Sequence, residues 1–166
     1  MSNKRLNDKN QTYTIGLLTC YISPGAREYV IKTPSKLFNA FDLLTWIIIS
    51  FLINSFLYKH AVMVFLIWLF LKKKTVRKES ILAIRDVGIQ VKTTYWGGSS
   101  VSRFINRQKV EDVIINEGIS FWQIKSYMAI LVKGENKMIV VFENLLPRLD
   151  PVLIHVYQGV RTILFS

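Results

Sequence analysis

The chain has 166 residues, about one domain's length, with 51% apolar residues, a mean hydropathy of +0.28 and a formal charge of +11. Such apolar content excludes intrinsic disorder. Residues 1–78 hold 12 Lys/Arg against 3 Asp/Glu, whereas residues 79–166 hold 10 against 8. The basic excess therefore brackets the most apolar stretch, which favours a membrane over nucleic acid as partner.

The first sixteen residues are polar, so no cleavable signal peptide is expected. Residues 1–40 read as a cytosolic N-terminal segment containing Lys4, Arg5, Lys9, Arg27, Lys32 and Lys36. Asn10-Gln11-Thr12 is a glycosylation sequon that stays unmodified if this segment is cytosolic. Cys20 is the single cysteine, so it forms no internal disulfide and reads as a small buried hydrophobe.

Residues 41–71 are almost continuously apolar. As one helix they would reach ~46 Å, against a hydrocarbon core of about 30 Å. Lys59 and His60 divide the stretch, and burying Lys59 in hydrocarbon would cost roughly 2.5–3.5 kcal/mol. Lys72, Lys73, Lys74, Arg77 and Lys78 follow directly. Basic flanks on both sides favour a short helical hairpin in the membrane, with arms 43–58 and 61–71 and both termini cytosolic; a shallow loop that never crosses the bilayer and a buried helical hairpin of a soluble core are the alternatives. Trp46, Tyr58 and Trp68 stand near the arm ends, where interfacial aromatics belong.

From Glu79 the pattern alternates. Ile89, Val91, Thr93 and Tyr95 share one strand face, and Gln90, Lys92 and Thr94 share the other. Further strands are predicted over 80–85, 101–105, 110–115, 127–133 and 138–143. Their turns fall at Asp86-Val87-Gly88, Trp96-Gly97-Gly98-Ser99-Ser100 and Gly134-Glu135-Asn136. Asp150-Pro151 then supplies an N-cap and a first-turn proline, and Val152, Val156, Val160 and Ile163 form a helical stripe. The expected fold is α+β: an N-terminal membrane helical hairpin, then a β-meander with one C-terminal amphipathic helix, in the strand-then-helix order of pleckstrin-homology-like domains. The expected organisation is 1–40, cytosolic segment; 41–71, membrane hairpin; 79–166, cytosolic α+β domain.

Catalytic constellations are not legible. His60 and His155 stand alone and Cys20 is remote from both, so no metal site or cofactor is expected. No base stands in motif spacing with a nucleophile, and Gly97-Gly98 lacks the rest of a phosphate loop. Glu111 and Asp112 are strand neighbours and point to opposite faces. Arg103, Arg107 and Lys109 could read anionic headgroups, which would make the chain a membrane-tethered lipid-binding adaptor. The plainer reading is that they are edge charges.

Three blocks carry a family resemblance: Glu79-Ser80-Ile81-Leu82-Ala83-Ile84 with Val87-Gly88-Ile89-Gln90-Val91 and Thr93-Thr94-Tyr95; Arg103-Phe104-Ile105 with Val110-Glu111-Asp112-Val113-Ile114-Ile115-Asn116-Glu117; and Ile130-Leu131-Val132-Lys133, Val140-Val141-Phe142 and Pro147-Arg148-Leu149-Asp150 with Tyr157. Upstream, Tyr21-Ile22-Ser23-Pro24 with Arg27-Glu28 continues the pattern. Together they resemble the H-subunit family of phosphatidylinositol N-acetylglucosaminyltransferase. Asn106 stands where many members carry a proline. The resemblance implies a non-catalytic, cytoplasm-facing subunit of the endoplasmic reticulum membrane complex that begins glycosylphosphatidylinositol (GPI) anchor synthesis. It also implies a catalytic glycosyltransferase subunit, other membrane subunits and membrane lipids as partners. The exposed side of 147–157, with Arg148, Asp150 and Tyr157, is the expected partner interface.

Overall fold

The computed structural model describes residues 11–33, 40–55, 57–120 and 123–165. Three strands open it: β1 (Gln11–Ile15), β2 (Leu18–Ser23) and β3 (Ala26–Lys32). Two-residue loops join them, with Ile15 paired to Leu18 and Ser23 paired to Ala26. The second loop is Pro24-Gly25, where proline presets φ and Gly25, at φ +84°, takes the left-handed position. Helices α1 (Ala40–Asn54) and α2 (Tyr58–Lys74) follow. Then come β4 (Val76–Ile84), β5 (Gly88–Tyr95), β6 (Ser100–Asn106), β7 (Val110–Ser120), β8 (Gln123–Val132) and β9 (Ile139–Val141). Helix α3 (Ile154–Phe165) comes last.

The strands form two antiparallel sheets, β1-β2-β3-β4-β5-β6 and β7-β8-β9. Ladder bonds from β3 to β4 unite residues 26–32 with 78–84, across the two intervening helices. A 3-10 turn at Arg107–Lys109 carries the chain from one sheet to the other. The core lies between the sheets, where Leu18, Tyr29, Ile81 and Ile89 meet Val113, Met128, Ile130 and Val141. Helix α3 closes it with Val156, Val160, Ile163 and Leu164, the stripe its sequence spacing predicts.

The expected fold class is therefore corrected. The protein is mostly β, and the helices are not an N-terminal membrane hairpin: three sheet strands precede them. Helix α1 has 15 residues and α2 has 17, ~22 and ~25 Å against the ~30 Å of a bilayer core. The last turn of α2 is Lys72–Lys74, which shortens its apolar part further. Among the described residues, no helix is long and apolar enough to cross a membrane. The break in the helical run falls between Asn54 and Tyr58, so Lys59 and His60 lie in the first turn of α2, just past the break. The strand-then-helix order holds for residues 76–165 but omits β1–β3. Asp150 has the extended backbone typical of an N-cap, and the helical turn over Leu149–Leu153 kinks there before running into α3 at Ile154.

Helices α1 and α2 pack on each other through Trp46, Phe65 and Trp68, with Trp46 and Trp68 centroids 5.8 Å apart. Asp42, buried near the start of α1, accepts from Trp68 Nε1 at 2.9 Å and pairs with Lys72 Nζ. Around this seam the pair stays apolar and exposed, with Leu43, Ile47, Phe51, Val62, Leu66 and Phe70 at the surface.

Candidate functional site

A cleft of about 960 Å³ opens between the β1–β2 turn, the end of β3, the start of β8 and the segment after β9. Leu17, Ile124, Leu146, Leu149 and Pro151 give it apolar walls. Leu17 and Ile124 are 58% and 70% exposed, so these walls are open to a partner. Lys32, Lys125 and Arg148 bring three cations to the same cleft and Glu143 one carboxylate. All four are exposed. No ion pair neutralises the three cations among the described residues.

The wall from Glu143 to Val152 is positioned by a buried carboxylate. Glu79 on β4 is 2% exposed. It accepts from Asn144 Nδ2 at 2.8 Å, Leu145 N at 2.9 Å and Asn144 N at 3.3 Å. Thr93 Oγ1 donates to it at 3.3 Å. A carboxylate accepts only, so it suits a strap presenting consecutive N–H donors. Phe142 precedes the strap at φ +58°, a left-handed conformation that costs a bulky residue about 1–3 kcal/mol. Burial of the ring, 1% exposed, holds it there.

A second polar cluster sits where α3 crosses the first sheet. Tyr13 and His155 Nε2 share a 2.5 Å hydrogen bond, and Tyr29 meets His155 edge-on. Arg27 donates to the Gly159 carbonyl at 3.2 Å. Burial pushes the Cys20 thiol up, against a hydrogen bond from Tyr13, and burial likewise raises the phenols of Tyr13 and Tyr29. Cys20 is therefore kept as a thiol, which is unreactive.

Of the predicted interface residues, Arg148 and Asp150 stand on the segment leading into α3 and Tyr157 on α3 itself. Arg148 lines the cleft. Asp150 is exposed beside it in sequence. Tyr157 lies on α3, where Arg161 bonds its hydroxyl, stacks on its ring at 5.6 Å and approaches Asp112 at 3.9 Å. That hydroxyl, with Asp112, raises the Arg161 guanidinium. Among the described residues, no hydrogen bond or ion pair joins Arg148, Asp150 and Tyr157 to one another.

The basic triad is divided. Arg103 pairs with Glu135 at 2.6 Å. Arg107 donates to the Leu164 carbonyl at 2.6 Å and lies over Phe165, pinning the end of α3. Lys109 is exposed at the end of the 3-10 turn. Asp112 faces Arg161, while Glu111 is exposed. His60 is exposed on α2. Among the described residues, no group of three His, Cys, Asp or Glu is placed to hold a metal. Asn10 of the sequon, with Lys4, Arg5, Lys9 and Lys36, lies outside the described residues.

Sequence reading missed Glu79, Lys32 and Lys125 as site residues. Glu79 is the lone carboxylate of β4, but it stands between Lys78 and Ser80 ahead of the apolar run Ile81–Ile84, where a charged residue looks ordinary. Lys32 and Lys125 left no signal, because only the folded chain brings them to one cleft.

Comparison with known proteins gives a consistent result. Residues 80–143 match the family model described as "GPI-GlcNAc transferase complex, PIG-H component". The chain is 30% identical over 159 residues to the H subunit of phosphatidylinositol N-acetylglucosaminyltransferase from Homo sapiens, covering 87% of this chain and 84% of that protein. It is 32% identical over 155 residues to the gpi15 subunit of the same enzyme from Schizosaccharomyces pombe, covering 86% and 94%. No solved structure gives a significant match.

Proposed function

The chain belongs to the H-subunit family of phosphatidylinositol N-acetylglucosaminyltransferase, and from that premise we propose that it is an accessory subunit of that complex, with the sugar transfer carried by another subunit. The family relation over nearly the full length of both chains carries the subunit reading. The accessory reading is supported by how the chain uses its polar groups. Glu79 is consumed in holding a strap, His155 is bonded to Tyr13, and Asp42 is tied to Trp68 and Lys72. Each of these groups, suited by type to acid–base work, is engaged in holding the fold.

We place the chain on the cytosolic face of the endoplasmic reticulum membrane, with both termini cytosolic. The exposed apolar surfaces of α1 and α2 need covering, and the run Lys72, Lys73, Lys74, Arg77 and Lys78 beside them suits an anionic cytosolic leaflet. The expected partners are the catalytic glycosyltransferase and the complex's membrane subunits. Tyr157 with Arg161 on the outer side of α3, and Asp150 before it, form the surface offered to them, since Tyr and Arg anchor protein interfaces.

The test is a pull-down of the tagged chain in mild detergent, assayed for N-acetylglucosamine transfer from UDP-N-acetylglucosamine to phosphatidylinositol. Activity on the beads, absent from the chain purified alone, is expected. Inactive beads prepared from active membranes would count against the subunit reading. Activity in the purified chain would overturn the accessory one.

A further inference from the structure

We infer that the cleft beside Glu143–Val152 binds an anionic phospholipid, its headgroup phosphate on Lys32, Lys125 and Arg148 and an acyl chain along Leu17, Ile124 and Leu146. This deepens the subunit reading and rests on it: the lipid is the acceptor, phosphatidylinositol.

Charge carries the first part of the argument. Three cations and a single carboxylate line one cleft, and the cations lack ion-pair partners among the described residues. Cations converging on one concave site bind a phosphate group more strongly than scattered surface charges do. The apolar walls carry the second part. A cleft for a free phosphate or an acidic segment has no need of Leu17 and Ile124 held open to solvent beside the cations. An amphiphile needs both chemistries side by side. About 960 Å³ is at the upper end of small-ligand sites, so a headgroup and a length of acyl chain fit together.

Position carries the third part. Lys32 and Thr33 line the cleft. Thr33 N donates to the Arg77 carbonyl at 3.0 Å, and Thr33 Oγ1 donates to the Val76 carbonyl at 3.0 Å. Lys32 pairs in register with Lys78. The cleft thus lies at the sheet end from which the apolar helices leave, among the chain's densest basic residues. The segment that walls it is fixed by Glu79, so the site is formed before a ligand arrives.

The test uses the full-length tagged chain in its detergent-solubilised complex and a photoactivatable phosphatidylinositol carrying its reactive group on the acyl chain. Crosslinks mapped by mass spectrometry are expected on peptides containing Leu17, Ile124 and Leu146. Excess phosphatidylinositol should suppress them, whereas phosphatidylcholine or soluble inositol phosphate at the same concentration should not. Combined Lys32→Glu, Lys125→Glu and Arg148→Glu should reduce labelling by about tenfold. The milder Lys32→Gln, Lys125→Gln, Arg148→Gln set should reduce it less, and Lys137→Glu, an exposed site outside the cleft, should leave it unchanged.

Crosslinks confined to other segments, equal competition by phosphatidylcholine, or labelling indifferent to both sets of substitutions would overturn the inference. So would reversal variants that lose the partner subunits while labelling persists, because the cleft would then be a protein-docking groove. Transfer activity on the same wild-type beads separates the two readings. Active beads without cleft labelling defeat the lipid site alone. Labelled but inactive beads defeat the subunit reading and, with it, the acceptor role, while leaving the cleft a phosphatidylinositol site.

Discussion

The phenolic oxygen of Tyr29 occupies the space that a side chain on Gly159 would need: a β-carbon there would lie 1.6 Å from it and 2.7 Å from Tyr29 Cζ. Helix α3 thereby reaches the first sheet closely enough for Arg27 to bond the Gly159 carbonyl.

Gly159→Ala is accordingly expected to destabilise the protein. Helix propensity favours alanine by about 1 kcal/mol. The contact opposes it more strongly, because Tyr29 is 1% exposed and its ring has nowhere to retreat. Overpacking costs about 1–3 kcal/mol, so a net loss of about 2 kcal/mol is expected in urea unfolding. Tyr29→Phe removes the nearest atom and should recover part of the loss in the double variant. Equal midpoints for wild type and Gly159→Ala would refute the packing argument.

How much of this was legible in the sequence depends on which force set each element. Strands β4–β9 and α3 were readable because their apolar period matches the face they bury; Ile81, Ala83 and Ile89 alternate into the core. Strands β1–β3 were not, because β1 is an edge strand with no fully buried residue and its Thr12 and Thr14 face solvent. The Pro24-Gly25 turn was their one local signal. The apolar run 41–71 was legible as two helical arms but not in its role, since its basic flanks suggested a membrane hairpin and the break leaves two pieces too short to cross. The cleft was only partly legible. Arg148 stood out within a motif, whereas Lys32 and Lys125 reach it from strands about ninety positions apart in the chain.

Stability should fall in alkaline solution. The folded protein raises Cys20, Tyr13 and Tyr29 above their usual values of 9.0 for a thiol and 10.0 for a phenol, mainly by burial. The unfolded chain then releases protons at a lower pH than the folded one. The stabilisation is complete below 9.0 and is lost as pH rises through the folded values. Urea midpoints in detergent should be flat on the acid side of 9.0 and drop beyond it, and Tyr13→Phe should make the drop shallower. A midpoint that rises across that window would contradict the sign.

Asp42 should govern the seam between α1 and α2. Its carboxylate accepts from Trp68 at 2.9 Å and pairs with Lys72, and its side chain is 7% exposed. Asp42→Ala leaves the half-buried indole N–H and the Lys72 ammonium without this acceptor, at a cost of about 1 kcal/mol. Asp42→Asn keeps an acceptor for Trp68 while removing the charge, so a smaller loss is expected. Tryptophan emission should shift to longer wavelength in Asp42→Ala as Trp68 loosens. An unaltered spectrum and melting temperature would show that the aromatic stack holds the helices without the aspartate.

Glu79 gives the prediction that links fold to site. Glu79→Ala leaves the N–H groups of Asn144 and Leu145 without their acceptor, each worth about 1–3 kcal/mol when buried. Glu79→Gln preserves the shape but presents an NH₂ group to a ring of donors, so it recovers only part of the loss. In hydrogen exchange, the amides of Asn144 and Leu145 should lose protection in both variants, while Ile81 and Ile89, packed in the core, change less. Because the same strap walls the cleft, lipid labelling at Leu146 should weaken in Glu79→Ala although Lys32, Lys125 and Arg148 are intact. Unchanged exchange at 144–145 would mean that Phe142 and its left-handed turn fix the strap without the carboxylate.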